Sequence, residues 1–238
     1  MTFWVFLVGG KGTRLGSLTT DTPKPLLPVG RRPFLDYLLD RAVHFGASEI
    51  LLLAGHLAGK VAASYHDRSW NGVPVRCHVE TEPRGTAGAL RQASALLPAR
   101  WVLMNGDTLF EVDPVRLDQP GEDWLVSMAL RRLDDTGRSG TVALADGRVR
   151  DFQERGTGGP GLVNAGVYCM RREILDLIPA DGACSLEAEI FPLLARAGRI
   201  RGTVLDGYFI DIGVPEDYIR AQREVPGRAL PSVKCDPL

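Results

Sequence analysis

The sequence predicts an α/β fold in which a mixed, mainly parallel sheet is flanked by helices and followed by a β-rich portion. The first observation is the opening run Phe3-Trp4-Val5-Phe6-Leu7-Val8, which is apolar throughout and closed by glycines. Such a run reads as a strand buried on both faces. The second is alternation. Pro33–Val43 has helical periodicity and ends near Gly46, Glu49–Leu53 is a strand, Leu57–Tyr65 a short helix, and Val73–Val79 a third strand. Strands alternating with helices point to a parallel sheet. The third is a change to longer β segments from Trp124 to Phe152.

The first strand opens into Gly9-Gly10-Lys11-Gly12-Thr13-Arg14-Leu15-Gly16, and Thr22-Pro23-Lys24-Pro25-Leu26-Leu27-Pro28-Val29-Gly30 follows. Glycines let backbone N–H groups approach a phosphate chain without Cβ obstruction, and Arg14 and Lys24 add cations. The stretch reads as a nucleoside triphosphate site; a tight turn after a strand is the plainer alternative. Neither common phosphate fingerprint fits. The spacing from Gly12 to Gly16 is one residue too long for G-x-G-x-x-G, and no G-x-x-x-x-G-K-[ST] occurs.

After the third strand, a Pro/Gly loop at Glu80–Leu90 hands over to a helix from about Thr86 to Leu96, with Thr86 available as its N-cap. Trp101–Asp107 is a fourth strand ending in an acid, where ligands of open α/β sheets bind. Asp107 there suits a hard divalent cation, or serves as a turn residue before Thr108. Asp146-Gly147 marks a hairpin. Asp134–Gly140 is a polar link, and Gly156–Gly161 a glycine-rich flap without phosphate-binding cations. Asn164-Ala165-Gly166 offers a donor and an acceptor for a diol, or a strand bulge. Ser185 caps a helix whose first turn carries Glu187 and Glu189, so no catalysis is assigned to those acids. Ile200–Leu205 and Tyr208–Asp211 are late strands, and a helix with Pro215 near its start runs to about Glu224.

The 238 residues suit a single domain over 1–225, with 226–238 as a loosely packed tail. With 45% hydrophobic and 24% charged residues and a net charge of −1, the composition suggests neither a nucleic-acid nor a membrane surface. Cys77, Cys169, Cys184 and Cys235 form no C-x-x-C pair and no zinc spacing with the four histidines, so buried free thiols are expected. No signal peptide or segment of transmembrane length is evident, and a cytoplasmic location is the expectation. A homo-oligomer stays open.

Gly9-Gly10-x-Gly12-Thr13-Arg14-Leu15 with Pro23-Lys24-Pro25-Leu26-x-Pro28-Val29 resembles the signature of the sugar-phosphate nucleotidyltransferases, the NDP-sugar pyrophosphorylases. Val8 departs from the Ala usual before the paired glycines. The resemblance implies a Rossmann-like, GT-A-like sheet with a β-rich sugar-binding portion. Residues of about 1–123 would form a nucleotide-binding half and about 124–225 a sugar-binding half. It implies an NTP and a sugar 1-phosphate as substrates, pyrophosphate as leaving group and Mg²⁺ as cofactor. Nucleotide binding would fall to Val8, Gly9, Gly10, Gly12, Thr13, Arg14, Glu80 and Gly85, and sugar binding to Glu154, Asn164 and Gly166. Arg14, Lys24, Asp107 and Asp211 would be catalytic, with Asp107 and Asp211 holding the metal.

Ser185-Leu186-Glu187-x-x-Ile190-Phe191-Pro192 and Asp206-Gly207-Tyr208-Phe209-Ile210-Asp211-Ile212-Gly213-Val214-Pro215-Glu216-Asp217-Tyr218 most resemble the D-glycero-D-manno-heptose 1-phosphate guanylyltransferases. That implies GTP as the nucleotide and a GDP-heptose for polysaccharide biosynthesis. Mannose 1-phosphate guanylyltransferase and N-acetylmuramate 1-phosphate uridylyltransferase are alternatives. A non-catalytic regulatory subunit that binds a nucleotide sugar is another, disfavoured because Arg14, Lys24, Asp107 and Asp211 are all present. A dinucleotide oxidoreductase is disfavoured by the glycine spacing and by Ala54-Gly55, which stand where a ribose-binding acid would be expected.

Overall fold

The computed structural model describes residues 2–118, 121, 123–137, 140–153, 158–228, 230 and 235–237, with backbone alone for 153 and 235–237. The chain forms two compact units. The first is Met1–Pro83, Met104–Glu111 and Tyr208–Leu238; the second is Arg84–Leu103 and Val112–Gly207.

The first unit starts with β1 (Thr2–Leu7), the short β2 (Pro28–Val29) and β3 (Arg32–Pro33), α1 (Phe34–His44), β4 (Ala47–Ala54), α2 (Ala58–Tyr65), β5 (Arg68–Trp70) and β6 (Val73–Val79). β1 pairs in parallel with β4, and β4 in parallel with β6. Trp4, Val5, Phe6 and Ile50 through Ala54 are buried, as the unbroken apolar runs require of strands covered on both faces. α1 buries Phe34, Leu35, Leu38, Leu39 and Ala42, the stripe set by 3.6-residue periodicity. Asp36 in its first turn and Arg41 and His44 in its last complement the helix dipole. Gly46, at φ 79°, ends it.

The second unit opens with α3 (Gly85–Gln92) and β7 (Arg100–Asn105), whose last two residues belong to the first unit. Next in the chain, β8 (Thr108–Phe110) returns to the first unit. The second continues with β9 (Val126–Leu133), β10 (Thr141–Ala145), β11 (Arg148–Gln153), β12 (Gly161–Arg171), α4 (Phe191–Arg196) and β13 (Ile200–Val204). β9 runs antiparallel to β12 and parallel to β13. β10 and β11 form the expected hairpin, with Ala145 opposite Arg148 and Asp146 and Gly147 at φ 52° and 69°. Positive φ at both turn residues is the type I′ geometry that matches strand twist.

Three expectations differ from the structure. Thr86 is not the N-cap of α3; Arg84 takes that position, and Thr86 lies inside the helix. The helix ends at Gln92, and a 3-10 turn over Ser94–Leu96 follows it. The fourth strand stops at Asn105, so Asp107 stands in the turn beyond it. Ser185 does cap its helix, accepting from Ala188 N at 3.1 Å. That first turn is a π-helix over Leu186–Ile190. Pro192 has no N–H to donate back to the preceding turn, and the chain enters α4 through the wider coil.

The first unit is completed by β14 (Phe209–Asp211), α5 (Pro215–Glu224) and β15 (Cys235–Pro237). β14 pairs antiparallel with β8, and β15 with β5. Of the tail, Pro226–Arg228 is a 3-10 turn, while 229, 231–234 and 238 lie outside the described residues. Outside them too fall Arg138 and Ser139 of the polar link, and Glu154 with the first residues of the glycine-rich flap. Cys77, Cys169 and Cys184 are free thiols, and burial pushes Cys77 and Cys169 up to about 12. No helix among the described residues is long and apolar enough to cross a membrane.

One ionic cluster ties the three segments of the first unit together. Arg41 of α1, only 6% exposed, donates to Glu111 and to Arg228 O at 3.2 Å. Arg228 Nη1 reaches Glu111 Oε2 at 3.1 Å, and its guanidinium lies 3.8 Å over the Tyr208 ring. Arg41→Ala removes the charge-assisted bonds to Glu111 and to Arg228 O while leaving Glu111 its Arg228, and is expected to lower stability by about 2–3 kcal/mol, read as a shifted urea midpoint at unchanged slope.

Candidate active site

The glycine loop after β1 is held from below. Thr19 Oγ1 donates to Gly12 O at 3.1 Å and to Gly16 O at 3.2 Å, and Leu15 N to Gly12 O at 2.9 Å. Gly12 sits at φ 64°, where a side chain would also meet Thr19 Cγ2 at 2.9 Å and Lys24 Cε at 3.2 Å. Gly10, Lys11, Thr13 and Arg14 are exposed. Val8 is buried and donates its N–H to Leu53 O at 2.9 Å.

Glu80 lies against the base of the same loop. A Cβ on Gly9 would stand 2.8 Å from Glu80 Oε1 and 2.9 Å from Gly55 N, and one on Gly55 would stand 3.0 Å from Glu80 Oε1. Two glycines just beyond the ends of the adjacent parallel strands β1 and β4 thus make room for one carboxylate. The structure brings Gly9 and Glu80 together. The place of Gly55 opposite Gly9 follows from the β1–β4 register, which no local pattern reveals.

The acids converge one layer further on. β8 and β14 pair Thr108 with Asp211, and Ile212 N donates to Asp107 O at 2.9 Å. This short antiparallel rung sets Asp107 beside Asp211, although 104 positions separate their numbers in the chain. Lys24, 9% exposed, places Nζ 2.7 Å from Asp107 Oδ2. Thr108 Oγ1 donates to Asp107 Oδ1 at 3.2 Å, and Gly213 N to Asp211 Oδ1 at 2.5 Å. A Cβ on Gly213 would fall 2.6 Å from Asp211 Oδ1 and 3.0 Å from Arg14 Nη2, so Arg14 borders the acids too. Burial, and then the charge of Asp107, raise the Asp211 carboxyl to about 6, against the pull of Gly213 N–H, Lys24 and Arg14.

This donor set fits Mg²⁺. Asp107 and Asp211 offer hard carboxylate oxygens close enough for the charge of one to raise the other. No group of three or more His, Cys, Asp or Glu side chains gathers among the described residues. Two carboxylates are what Mg²⁺ needs when substrate phosphates fill the rest of its shell.

The remaining expected residues lie in the second unit. Gly85, at φ 74°, opens α3, and a Cβ there would meet Cys184 O at 2.6 Å. That carbonyl accepts from Ala87 N and Gly88 N at 3.0 and 3.2 Å. Thr86 Oγ1 donates to Glu187 Oε2 at 2.7 Å and accepts from Leu186 N at 2.8 Å, while Glu189 Oε1 accepts from Ser185 N at 2.8 Å. Both acids are occupied in holding helix starts. Asn164 and Gly166 form a bulge in β12, where the register against β9 breaks between Asn164 and Tyr168. Asn164 Nδ2 donates to Tyr168 OH at 2.7 Å, its Oδ1 accepts from Gly166 N at 3.0 Å, and Gly166 is at φ 71°. Glu154 lies outside the described residues.

A strand-ended glycine loop with an edge cation, a buried lysine and two neighbouring acids is an arrangement able to bind phosphates and a hard cation. Residues 4–227 match the Nucleotidyl transferase family. The chain belongs to this family. Among its relatives is the D-glycero-alpha-D-manno-heptose 1-phosphate guanylyltransferase of Aneurinibacillus thermoaerophilus, 32% identical over 224 residues, which are 93% of this chain and 97% of that protein. Another is the mannose-1-phosphate guanylyltransferase of Mycobacterium tuberculosis, 34% identical over 96% of this chain and 66% of that protein. Among solved structures, HddC from Yersinia pseudotuberculosis complexed with GMP-PN superposes with a TM-score of 0.83 at 31% identity, covering 94% of this chain and all of that one. The mixed α/β nucleotidyltransferase fold predicted from the sequence is thus the fold observed.

The acid pair makes a prediction about this nucleotidyl transferase without ligands. A carboxyl raised in the folded state holds its proton more tightly folded than unfolded. Its penalty is therefore absent below pH ~4, grows as pH rises through the unfolded value, and is complete above the folded value of about 6. In EDTA, Asp211→Asn is expected to be more stable than the parent by on the order of 1–3 kcal/mol at pH 7.5, with the gain vanishing near pH 4. Urea titrations at the two pH values check it; a gain of equal size at both would remove the charge explanation.

Proposed function

We propose that this enzyme joins GTP to D-glycero-D-manno-heptose 1-phosphate, forming GDP-heptose and releasing pyrophosphate. The observation that carries the reading is the end-to-end match to a heptose 1-phosphate guanylyltransferase, 93% of one chain against 97% of the other. The likeness to a structure complexed with GMP-PN supports the guanine nucleotide. Mannose 1-phosphate is the second reading, favoured by the 34% identity to a mannose-1-phosphate guanylyltransferase.

In this reading a phosphate oxygen of the sugar 1-phosphate attacks the α-phosphorus of GTP. A new P–O bond forms, the α–β anhydride breaks, and pyrophosphate leaves. The nucleophile is already anionic at neutral pH, so no general base is required. The task is to bring two polyanions together in line. Arg14 and the backbone from Gly10 to Thr13 hold the β- and γ-phosphates. Lys24 neutralises charge around the α-phosphate and the incoming sugar phosphate. Asp107 and Asp211 would hold Mg²⁺, which would supply positive charge to the leaving group. The family resemblance assigns the sugar hydroxyls to Asn164, Gly166 and Glu154 and the base to Gly85.

Glu80 is the base-reading residue. Guanine offers N1–H and N2–H donors on one edge, and a carboxylate accepts both. The room made by Gly9 and Gly55 for Glu80 supports this role.

Pyrophosphate release with Mg²⁺, crossing five NTPs against heptose, mannose, glucose and N-acetylmuramate 1-phosphates, tests the reading. The expected outcome is preferential release with GTP and the heptose phosphate; preference for another pair overturns the substrate assignment. Asp107→Ala, Asp211→Ala and Lys24→Ala should each lower turnover by at least about a hundredfold while folding normally. Glu80→Gln should cut the preference for GTP over ATP by about 10–100-fold, and an unchanged ratio would remove Glu80 from base reading.

A further inference from the structure

Lys24 sits on a segment with little structure of its own. Its 3-10 turn is closed by Leu26 N to Pro23 O at 2.8 Å and Leu27 N to Lys24 O at 3.1 Å. The turn leads directly into β2 and β3, two residues each, far too short to hold a hairpin unaided. Something else must fix the height of the lysine over Asp107.

That support comes from α5. Gln222 Nε2 donates to Pro28 O, and Gln222 Oε1 accepts from Gly30 N at 3.0 Å. The side-chain amide therefore pairs with the backbone of residues 28 and 30 as a neighbouring strand would. Tyr218 OH donates to the same Pro28 O at 2.7 Å. Tyr37 OH, from α1, holds Val29 O at 2.9 Å, and Pro226 fills the space beside Gly30, 3.0 Å from where its Cβ would be. α5 itself starts at Pro215, just after Asp211 and Gly213, and Ile212 N is bonded to Asp107 O. The contacts close a circuit: Lys24 to Asp107, Asp107 to Ile212, along the chain into α5, through Tyr218 and Gln222 to Pro28, and back to Lys24. Asp217-Tyr218 ends the signature around Asp211, yet the transfer chemistry gives this tyrosine no task.

We propose that Gln222 and Tyr218 are positioning residues that set Lys24 against the acid pair, acting on nucleotidyl transfer only through that lysine. The inference rests on the catalytic reading of Lys24 given above. If the amide grip is lost, Lys24 stays in the chain but no longer meets the α-phosphate at the right distance. Misplacement of a charged group on the ångström scale is felt chiefly in turnover.

A double-mutant cycle tests it, because coupled residues depart from additivity and independent ones do not. Turnover and KM are measured by pyrophosphate release for the parent, Gln222→Ala, Lys24→Met and the double variant. Gln222→Ala is expected to lower kcat about tenfold in the parent and less than twofold in the Lys24→Met background, with KM for GTP little changed. Tyr218→Phe, which removes one hydrogen bond, should show the same pattern at smaller size, and it replaces Gln222→Ala should that variant fail to fold. Equal losses in both backgrounds would overturn the proposal and leave α5 a purely structural support. Full activity of Lys24→Met would instead sink the reading of Lys24 on which the proposal stands.

Discussion

Two carboxylates held close together in a half-buried place are an unfavourable arrangement, and the first unit is built around sustaining it. Asp107 and Asp211 meet because a three-residue strand pairs β8 with β14 and Ile212 N locks onto Asp107 O. Their mutual repulsion adds to burial in raising Asp211 to about 6. Lys24 at 2.7 Å from Asp107, and Arg14 beside Gly213, compensate part of that charge. A site arranged this way has an appetite for positive charge.

Close backbone approach is the other condition. Gly9 and Gly55 leave room for Glu80, while at Gly106 a Cβ would stand 2.6 Å from Leu7 O. Gly213 is equally constrained, by the carboxylate of Asp211. None of these three contacts depends on unusual dihedral angles: Gly9, Gly106 and Gly213 all lie outside the left-handed region. They are small because their neighbours are near. Gly12 differs, since both its φ of 64° and the nearness of Thr19 exclude a side chain.

Much of this was legible in the sequence, for identifiable reasons. The unbroken apolar runs of β1 and β4 specify central parallel strands, and Asp146-Gly147 specifies its hairpin turn, because in both cases local chemistry decides the structure. Lys24, Asp107 and Asp211, which the structure sets side by side, all stand in motifs that the sequence displays. What stayed hidden was tertiary. Thr86 has the chemistry of an N-cap, but Leu186 and Glu187 claim its hydroxyl from elsewhere in the chain. The π turn at Leu186–Ile190 depends on a proline that a periodic pattern tolerates at the start of a helix. Thr19 supports the glycine loop from seven residues away, and nothing distinguishes it in sequence from Thr20. Gln222 is one polar residue among several on an exposed helix, and only the structure reveals its two bonds to the backbone.

The three-segment construction of the first unit has a consequence for biosynthesis. Met1–Pro83 and Met104–Glu111 leave the ribosome well before Tyr208–Leu238 exists. At roughly 5–20 residues per second, translation of the intervening stretch takes on the order of 5–20 s. For that time β8 has no β14 to pair with, Glu111 has no Arg228, and Asp107 faces Lys24 alone. The nascent chain thus passes through a stage in which the acid pair does not yet exist. Its repulsion is introduced only with the segment that also brings Gly213, Tyr218 and Gln222. The acid pair and the struts that stabilise it are delivered together, by the last of the three segments.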